Sequence, residues 1–168
     1  MPHPFVQSLV NALESHSFAG LYTHERDLER EVYEITRQTF GDFVPGRDVE
    51  AAVVTHGETP ERKKRWTDTK TWQDVPVYGC KNTGDVVVKH RHIGTVSVQV
   101  KLAKGSIAGP LQTLIGQLFI GSLRHDAVVG VLLSVRPVPP LDGYTAKLLR
   151  RLREAHSAFL VVRQVADR

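Results

Sequence analysis

The chain has 168 residues, 41% of them hydrophobic and 24% charged, with a formal net charge of +4. That length suits one domain with a proper core, and the composition excludes wholesale disorder. A modest basic excess is compatible with a polyanionic partner without requiring one. A single cysteine, Cys80, excludes an internal disulfide and any multi-cysteine zinc site, which points to a reducing, cytoplasmic setting. The N-terminal stretch MPHPFVQSLVNALESHS lacks the basic start and long apolar core of a signal peptide. No apolar run approaches the about 20 residues that cross a bilayer, so no membrane partner is expected.

In chain order, Pro4–His16 places Phe5, Leu9, Val10 and Leu13 at helical spacing. Gly20 marks a connector. Thr23 suits an N-cap, although Arg26 rather than Glu at the third helical position leaves no capping box. A helix over His24–Phe40 follows, with Leu28, Val32, Ile35 and Thr39 as its inner stripe and Gly41 as its stop. Val49–Thr55 reads as a short strand. His56–Asp74 is long and polar, the kind of loop that carries function or moves. Val75–Cys80 reads as one short edge strand limited by Pro76. Asn82-Thr83-Gly84 is turn chemistry. Asp85–His90 and Gly94–Leu102 then form an antiparallel hairpin. Pro110 sits near the start of a helix over Leu111–Leu123, whose inner side holds Leu111, Leu114, Ile115, Leu118 and Phe119. Ala127–Val135 is a nearly continuous apolar run, as in a strand buried on both faces. Asp142 caps a helix over Gly143–His156, with Lys147, Arg150, Arg151 and Arg153 on its outer face, and Ala158–Val165 is a final strand. Helices between strands imply parallel pairing, while the hairpin implies an antiparallel section. The fold class is α/β, one domain over 1–168, with a central mixed β-sheet flanked by helices.

Thr95–Leu102 alternates apolar and polar residues. Val96, Val98, Val100 and Leu102 take one side; Thr95, Ser97, Gln99 and Lys101 take the other. Gln99 and Lys101 therefore point the same way, and Asp85 lies at the start of the hairpin partner. An acid on one strand and a Gln-x-Lys on its neighbour is a candidate metal and nuclease constellation.

The segments Asp27-Leu28-Glu29-Arg30-Glu31-Val32, Thr83-Gly84-Asp85-Val86-Val87-Val88 and Ser97-Val98-Gln99-Val100-Lys101-Leu102 lead into the helix–strand pair Gly109–Val135. In this order the chain resembles the PD-(D/E)XK nuclease superfamily, the restriction-endonuclease-like fold, in the Gln-x-Lys variant of Mrr-type restriction endonucleases. The resemblance covers roughly residues 24–135, with the helix and strand over about 141–165 appended. It departs from the pattern at Gly84, where the superfamily has Pro, and at Gln99, where the second acid would stand. It implies a Mg²⁺- or Mn²⁺-dependent endonuclease that hydrolyses phosphodiester bonds of DNA, with Asp85, Gln99, Lys101 and Glu29 catalytic. Asp85, Gln99 and the Val100 carbonyl would supply the hard oxygen ligands that Mg²⁺ prefers. Lys101 would stabilise developing negative charge. Glu29 would hold a water from the helix, in competition with Glu25, Glu31 and Glu34. A polar residue on the next helix often contributes in the superfamily, and of Gln112 and Gln117 the second sits nearer the middle of that helix. Such nucleases often dimerise or join larger nuclease, defence or repair assemblies. Two rival readings stand beside this one. One is a non-catalytic relative that binds nucleic acid or protein, favoured by the missing second acid. The other is a plain α/β domain with an accidental hairpin.

Other features read more plainly. Lys63-Lys64-Arg65-Trp66 carries the residue types that grip phosphate and stack a base, and Lys104 and Gln117 join it as nucleic-acid-facing candidates. Interleaved acids also fit a solvated loop there. Arg150-Arg151-Leu152-Arg153 has the same two readings. His90-Arg91-His92 has no third ligand and reads as surface, and Cys80 as a buried or edge thiol.

Overall fold

Every position of Ala127–Ser134 is buried, and a strand with no exposed face must lie between two layers. In the computed structural model, which describes residues 3–40, 52–55, 74–77, 80–90 and 93–166, those layers are two pairs of helices. The elements are α1 (Pro4–Ser15), α2 (Glu25–Phe40), β1 (Ala52–Thr55), β2 (Asp74–Val77), β3 (Cys80–Thr83), β4 (Val86–His90), β5 (Gly94–Ala103), α3 (Ala108–Ser122), β6 (Ala127–Ser134), α4 (Gly143–His156) and β7 (Ala158–Gln164). The main sheet has the order β1-β4-β5-β6-β7. Its β1–β4 and β4–β5 pairs are antiparallel, whereas β5–β6 and β6–β7 are parallel and joined by α3 and α4. The mixed α/β architecture is as expected. One expectation fails: Val75–Cys80 is not a single edge strand. Among the described residues β2 and β3 pair with each other, as a two-stranded ribbon separate from the main sheet.

The alternation of β5 sorts the two layers. Val96, Val98 and Val100 join Val86 and Val88 of β4, Val129 and Val131 of β6, and the apolar stripes of α1 and α2 in one cluster. The opposite face packs against α3 and α4, with Leu114 against Ala103 and Leu132, and Leu118 against Val128 and Leu152. Gly130 lets α3 come close, since a Cβ there would sit 3.1 Å from Leu114 Cγ. The polar side of β5 is therefore not a solvent face: Ser97 and Gln99 are buried under α3. Phe119, expected inside, is 48% exposed. The inner side of α3 is instead Leu114, Leu118 and Gly121, because the whole helix is uncharged and its sequence marks no outer face.

The start of α2 also differs from expectation. The helix begins at Glu25, so Asp27 occupies the third helical position. Its Oδ2 accepts from the N–H groups of Thr23 and His24 and from the Thr23 hydroxyl, the reciprocal half of a capping box. Those donors, the His24 N–H first, hold the Asp27 carboxyl below its ordinary range.

Gly84 fixes how the chain enters β4. A Cβ at this position would lie 2.2 Å from Ser97 Oγ and 3.0 Å from Val87 Cγ2. Ser97 is fully buried and its hydroxyl has no partner among the described residues. Gly84→Ala should therefore destabilise by about 1–3 kcal/mol through overpacking. Ser97→Ala alone should be near neutral, because it removes an unpaired hydroxyl. In the double variant most of the Gly84→Ala loss should be recovered, a favourable coupling readable in a urea-denaturation double-mutant cycle. Strict additivity would show that the two positions do not compete for the same space.

Candidate functional site

The ladder between β4 and β5 stops at Val86 and Val98, and its last bond runs from the Asp85 N–H to the Val98 carbonyl, 3.0 Å. In a strand the N–H and C=O of alternate residues face the same neighbour. Val100 and Leu102 therefore direct their main-chain groups to the side where β4 has ended. Two carboxylates meet those N–H groups. Val100 donates to Asp85 Oδ2 at 2.8 Å, and Leu102 donates to Glu25 Oε2 at 3.3 Å. The Val100 carbonyl faces the same side as its N–H.

Glu25 has a second role. Its Oε1 lies 2.7 Å from Lys101 Nζ, and the lysine side chain is only 17% exposed. Glu25 thus holds the ammonium beside the strand and bonds the main chain one residue further on. Glu29 lies one turn along the same face of α2 and is half-buried. Burial first, and then the charge of Glu25, push its carboxyl above the ordinary range; Arg26 and Lys101 oppose that rise. Asp85 is pushed up from 3.8 to about 6, chiefly because burial strips its carboxylate of water. The Val100 N–H and Lys101 favour the charged form, and Glu29 and Glu25 oppose it. Lys104, on the exposed rim just past β5, donates to the Thr23 carbonyl before α2.

Gln99 is 4% exposed and stands beside Gly130, over which α3 passes. Its Oε1 has no partner among the described residues, and neither does the buried Oε1 of Gln117. Gln117 lies on α3 between Leu114 and Gly121, both turned to the sheet. An unpaired buried amide oxygen costs about 1–3 kcal/mol, so it demands a reason.

Of the residues singled out from sequence, Asp85, Lys101 and Glu29 meet at the junction of β4, β5 and α2. Gln99 lies under α3, while Gln117 belongs to that helix with its Oε1 buried, and Gln112 is on its exposed side. Lys63, Lys64, Arg65 and Trp66 lie outside the described residues, as do Arg91 and His92. The contact that sequence reasoning did not choose is Glu25. Its only signal was the i, i+4 spacing to Glu29. The other competitors turn elsewhere: Glu31 Oε1 lies 2.6 Å from His16 Nε2 while its Oε2 accepts from the Tyr22 hydroxyl at 2.5 Å, and Glu34 pairs with Arg37. His90 is not a surface residue. It is 3% exposed, with its ring 5.0 Å from that of Phe5 and 6.0 Å from that of Phe40.

Among the described residues, no three His, Cys, Asp or Glu side chains group as a metal centre. The Asp85 carboxylate, the unpaired Gln99 amide oxygen and the Val100 carbonyl are nevertheless hard oxygen donors of the kind that Mg²⁺ takes, two of which are not acids. Compared with protein-family models, with curated proteins and with solved structures, the chain matches none.

The raised pKa of Asp85 has a sign that can be tested. Between 3.8 and about 6 the folded protein binds the proton more tightly than the unfolded chain. Stability from this group is therefore present at low pH and lost as pH rises through that window, by up to roughly 3 kcal/mol. Asp85→Asn keeps an acceptor for the Val100 N–H and carries no charge. It should flatten the fall and be the more stable protein at pH 8 by about 1–3 kcal/mol, measured by urea denaturation across pH. An unchanged pH slope in that variant would place the charge penalty elsewhere.

Proposed function

We propose that this chain is a divalent-cation-dependent nuclease with a restriction-endonuclease-like core, hydrolysing phosphodiester bonds of DNA at the end of β5. The observation that carries this reading is the meeting of Asp85, Lys101 and the α2 glutamates at the point where β4 leaves β5, with the unpaired Gln99 oxygen on the same strand. The element order supports it as well: a helix, three strands paired antiparallel, a crossover helix and a parallel strand follow the order of the matching motifs. Three acids around one half-buried lysine are more than a fold needs to close a sheet edge.

Asp85, Gln99 Oε1 and the Val100 carbonyl would hold Mg²⁺ or Mn²⁺, which when bound polarises the phosphate and makes water more acidic. The remaining roles belong to the chain. Lys101 sets its ammonium beside the scissile phosphate, where charge builds as a water oxygen bonds to phosphorus and the bond to the departing sugar oxygen breaks. Glu25 fixes the reach of Lys101. Glu29 accepts a hydrogen bond from the attacking water, and its raised pKa brings it closer to the range useful for taking a proton. The wall of α3 over Gln99 keeps bulk water off that side.

A second reading is favoured by Gln99 itself. An amide in place of a carboxylate weakens cation binding, so the same fold could serve as a non-catalytic nucleic-acid- or protein-binding subunit. Incubation of the purified chain with plasmid, linear and branched DNA in Mg²⁺ or Mn²⁺ separates the two. The nuclease reading expects cleavage that Asp85→Ala abolishes and that Lys101→Ala slows by about 10²–10³-fold, with folding unchanged by circular dichroism. Glu25→Gln should slow it less, because the amide still accepts from Leu102. Cleavage that persists unchanged in Asp85→Ala and Lys101→Ala would sink the site; no cleavage and no Mn²⁺ heat in calorimetry, with DNA still bound, would select the non-catalytic reading.

A further inference from the structure

From Ala127 to the end of α4 the acids are Asp142 and Glu154, against Arg136, Lys147, Arg150, Arg151 and Arg153. Asp142 is spent on the helix: its Oδ1 accepts from the N–H groups of Tyr144 and Thr145, and its Oδ2 from the Thr145 hydroxyl. Arg153 is spent too, donating to Gln7 Oε1 and stacking over the Phe159 ring. Arg136, Lys147, Arg150 and Arg151 are exposed, and the acid that α4 sets against them is Glu154, four residues past Arg150 and three past Arg151.

Apolar surface is concentrated in the same place. Tyr144 is 90% exposed, with Leu141 at 42% and Leu148 at 43%. On α4, Tyr144, Lys147, Leu148 and Arg151 stand at i, i+3, i+4 and i+7, one continuous outward stripe of aromatic, cation, aliphatic and cation. The Asp142 cap fixes the backbone of Tyr144, so its ring is rooted at a defined place at the start of α4.

Topology ties this stripe to the candidate site. Ala103 of β5 pairs with Ser134 of β6, and the Val135 N–H donates to the Ala103 carbonyl. Lys104 and Arg136 thus leave the sheet side by side. β7 starts opposite Val128, at the other end of β6, so α4 must run back along the sheet from the Arg136 end. Its Tyr144 turn therefore lies at the same rim as Lys101 and Lys104.

We infer that this rim is a track for single-stranded nucleic acid, running from Lys101 over Lys104 and Arg136 onto the Tyr144–Lys147–Arg151 stripe. Cations along the rim meet phosphates, and the exposed tyrosine offers a face on which an unpaired base stacks. A duplex keeps its bases stacked on each other and cannot use that ring. The inference rests on the nuclease reading only for the direction of the strand and deepens it to a substrate class: DNA with an unpaired segment beside the scissile bond.

The test uses the full chain, a fluorescein-labelled oligothymidylate and its duplex with oligoadenylate, in EDTA, with anisotropy read across salt. The single strand should bind more tightly than the duplex. Tyr144→Ala should weaken single-strand binding about tenfold or more, while Tyr144→Phe retains it. Arg136→Ala, Lys147→Ala and Arg151→Ala should each lower the slope of log K against log salt by about 0.7. Wild-type affinities and slopes in all four alanine variants would overturn the track. So would a stripe whose Tyr144→Ala change abolishes self-association in sedimentation and leaves DNA binding untouched. Parallel Mg²⁺ cleavage assays keep the two proposals apart. Cleavage with rim-independent binding removes the track and leaves the nuclease; rim-dependent binding without cleavage removes the nuclease and leaves the track.

Discussion

Two main-chain N–H groups on β5, at Val100 and Leu102, organise this molecule's chemistry. A strand whose partner has ended must find acceptors for the donors it exposes, or bear the cost of leaving them dry. Here Asp85 and Glu25 supply those acceptors. The solution gathers negative charge at a partly buried sheet edge, and Lys101 is drawn in to offset it. Burial, more than any neighbouring charge, raises the Asp85 carboxyl, and the three acids Asp85, Glu25 and Glu29 share the one ammonium of Lys101.

That crowding of acids is the ground on which the cluster is proposed to be functional. A sheet edge can be closed with a single hydrogen-bonding side chain or another strand. Here three acids face one ammonium, with an unpaired amide oxygen on the same strand. A ligand that takes oxygen donors and brings positive charge would remove both deficits together. Gln99 is where that account is most exposed, because its oxygen is neutral and its residue lies under α3 rather than in solvent.

Much of this was legible in the sequence, for identifiable reasons. Strict alternation over Thr95–Leu102 and the unbroken apolar run of Ala127–Ser134 gave β5, β6 and their positions in the sheet. Asp142 announced the start of α4 by chemistry that the structure bears out. Less legible was anything decided by a neighbour distant in sequence. Alternation alone cannot tell a wet polar face from one roofed by a helix, so Ser97 and Gln99 gave no sign of burial. A helix with no charges has no sequence-marked outer face, which is why Phe119 was misassigned. Glu25 and Glu29 share one face of α2, and only the reach of Lys101 distinguishes their roles. His90 looked like surface because its aromatic neighbours, Phe5 and Phe40, come from two other helices.

The central claim is that β5 offers a cation its oxygen donors, and anomalous scattering from a Mn²⁺-soaked crystal tests it most directly. The account predicts a manganese peak bounded by the Asp85 carboxylate, the Gln99 amide oxygen and the Val100 carbonyl. A crystal with no peak there, and with the Gln99 oxygen bonded to Gln117 or to an ordered water, would contradict it.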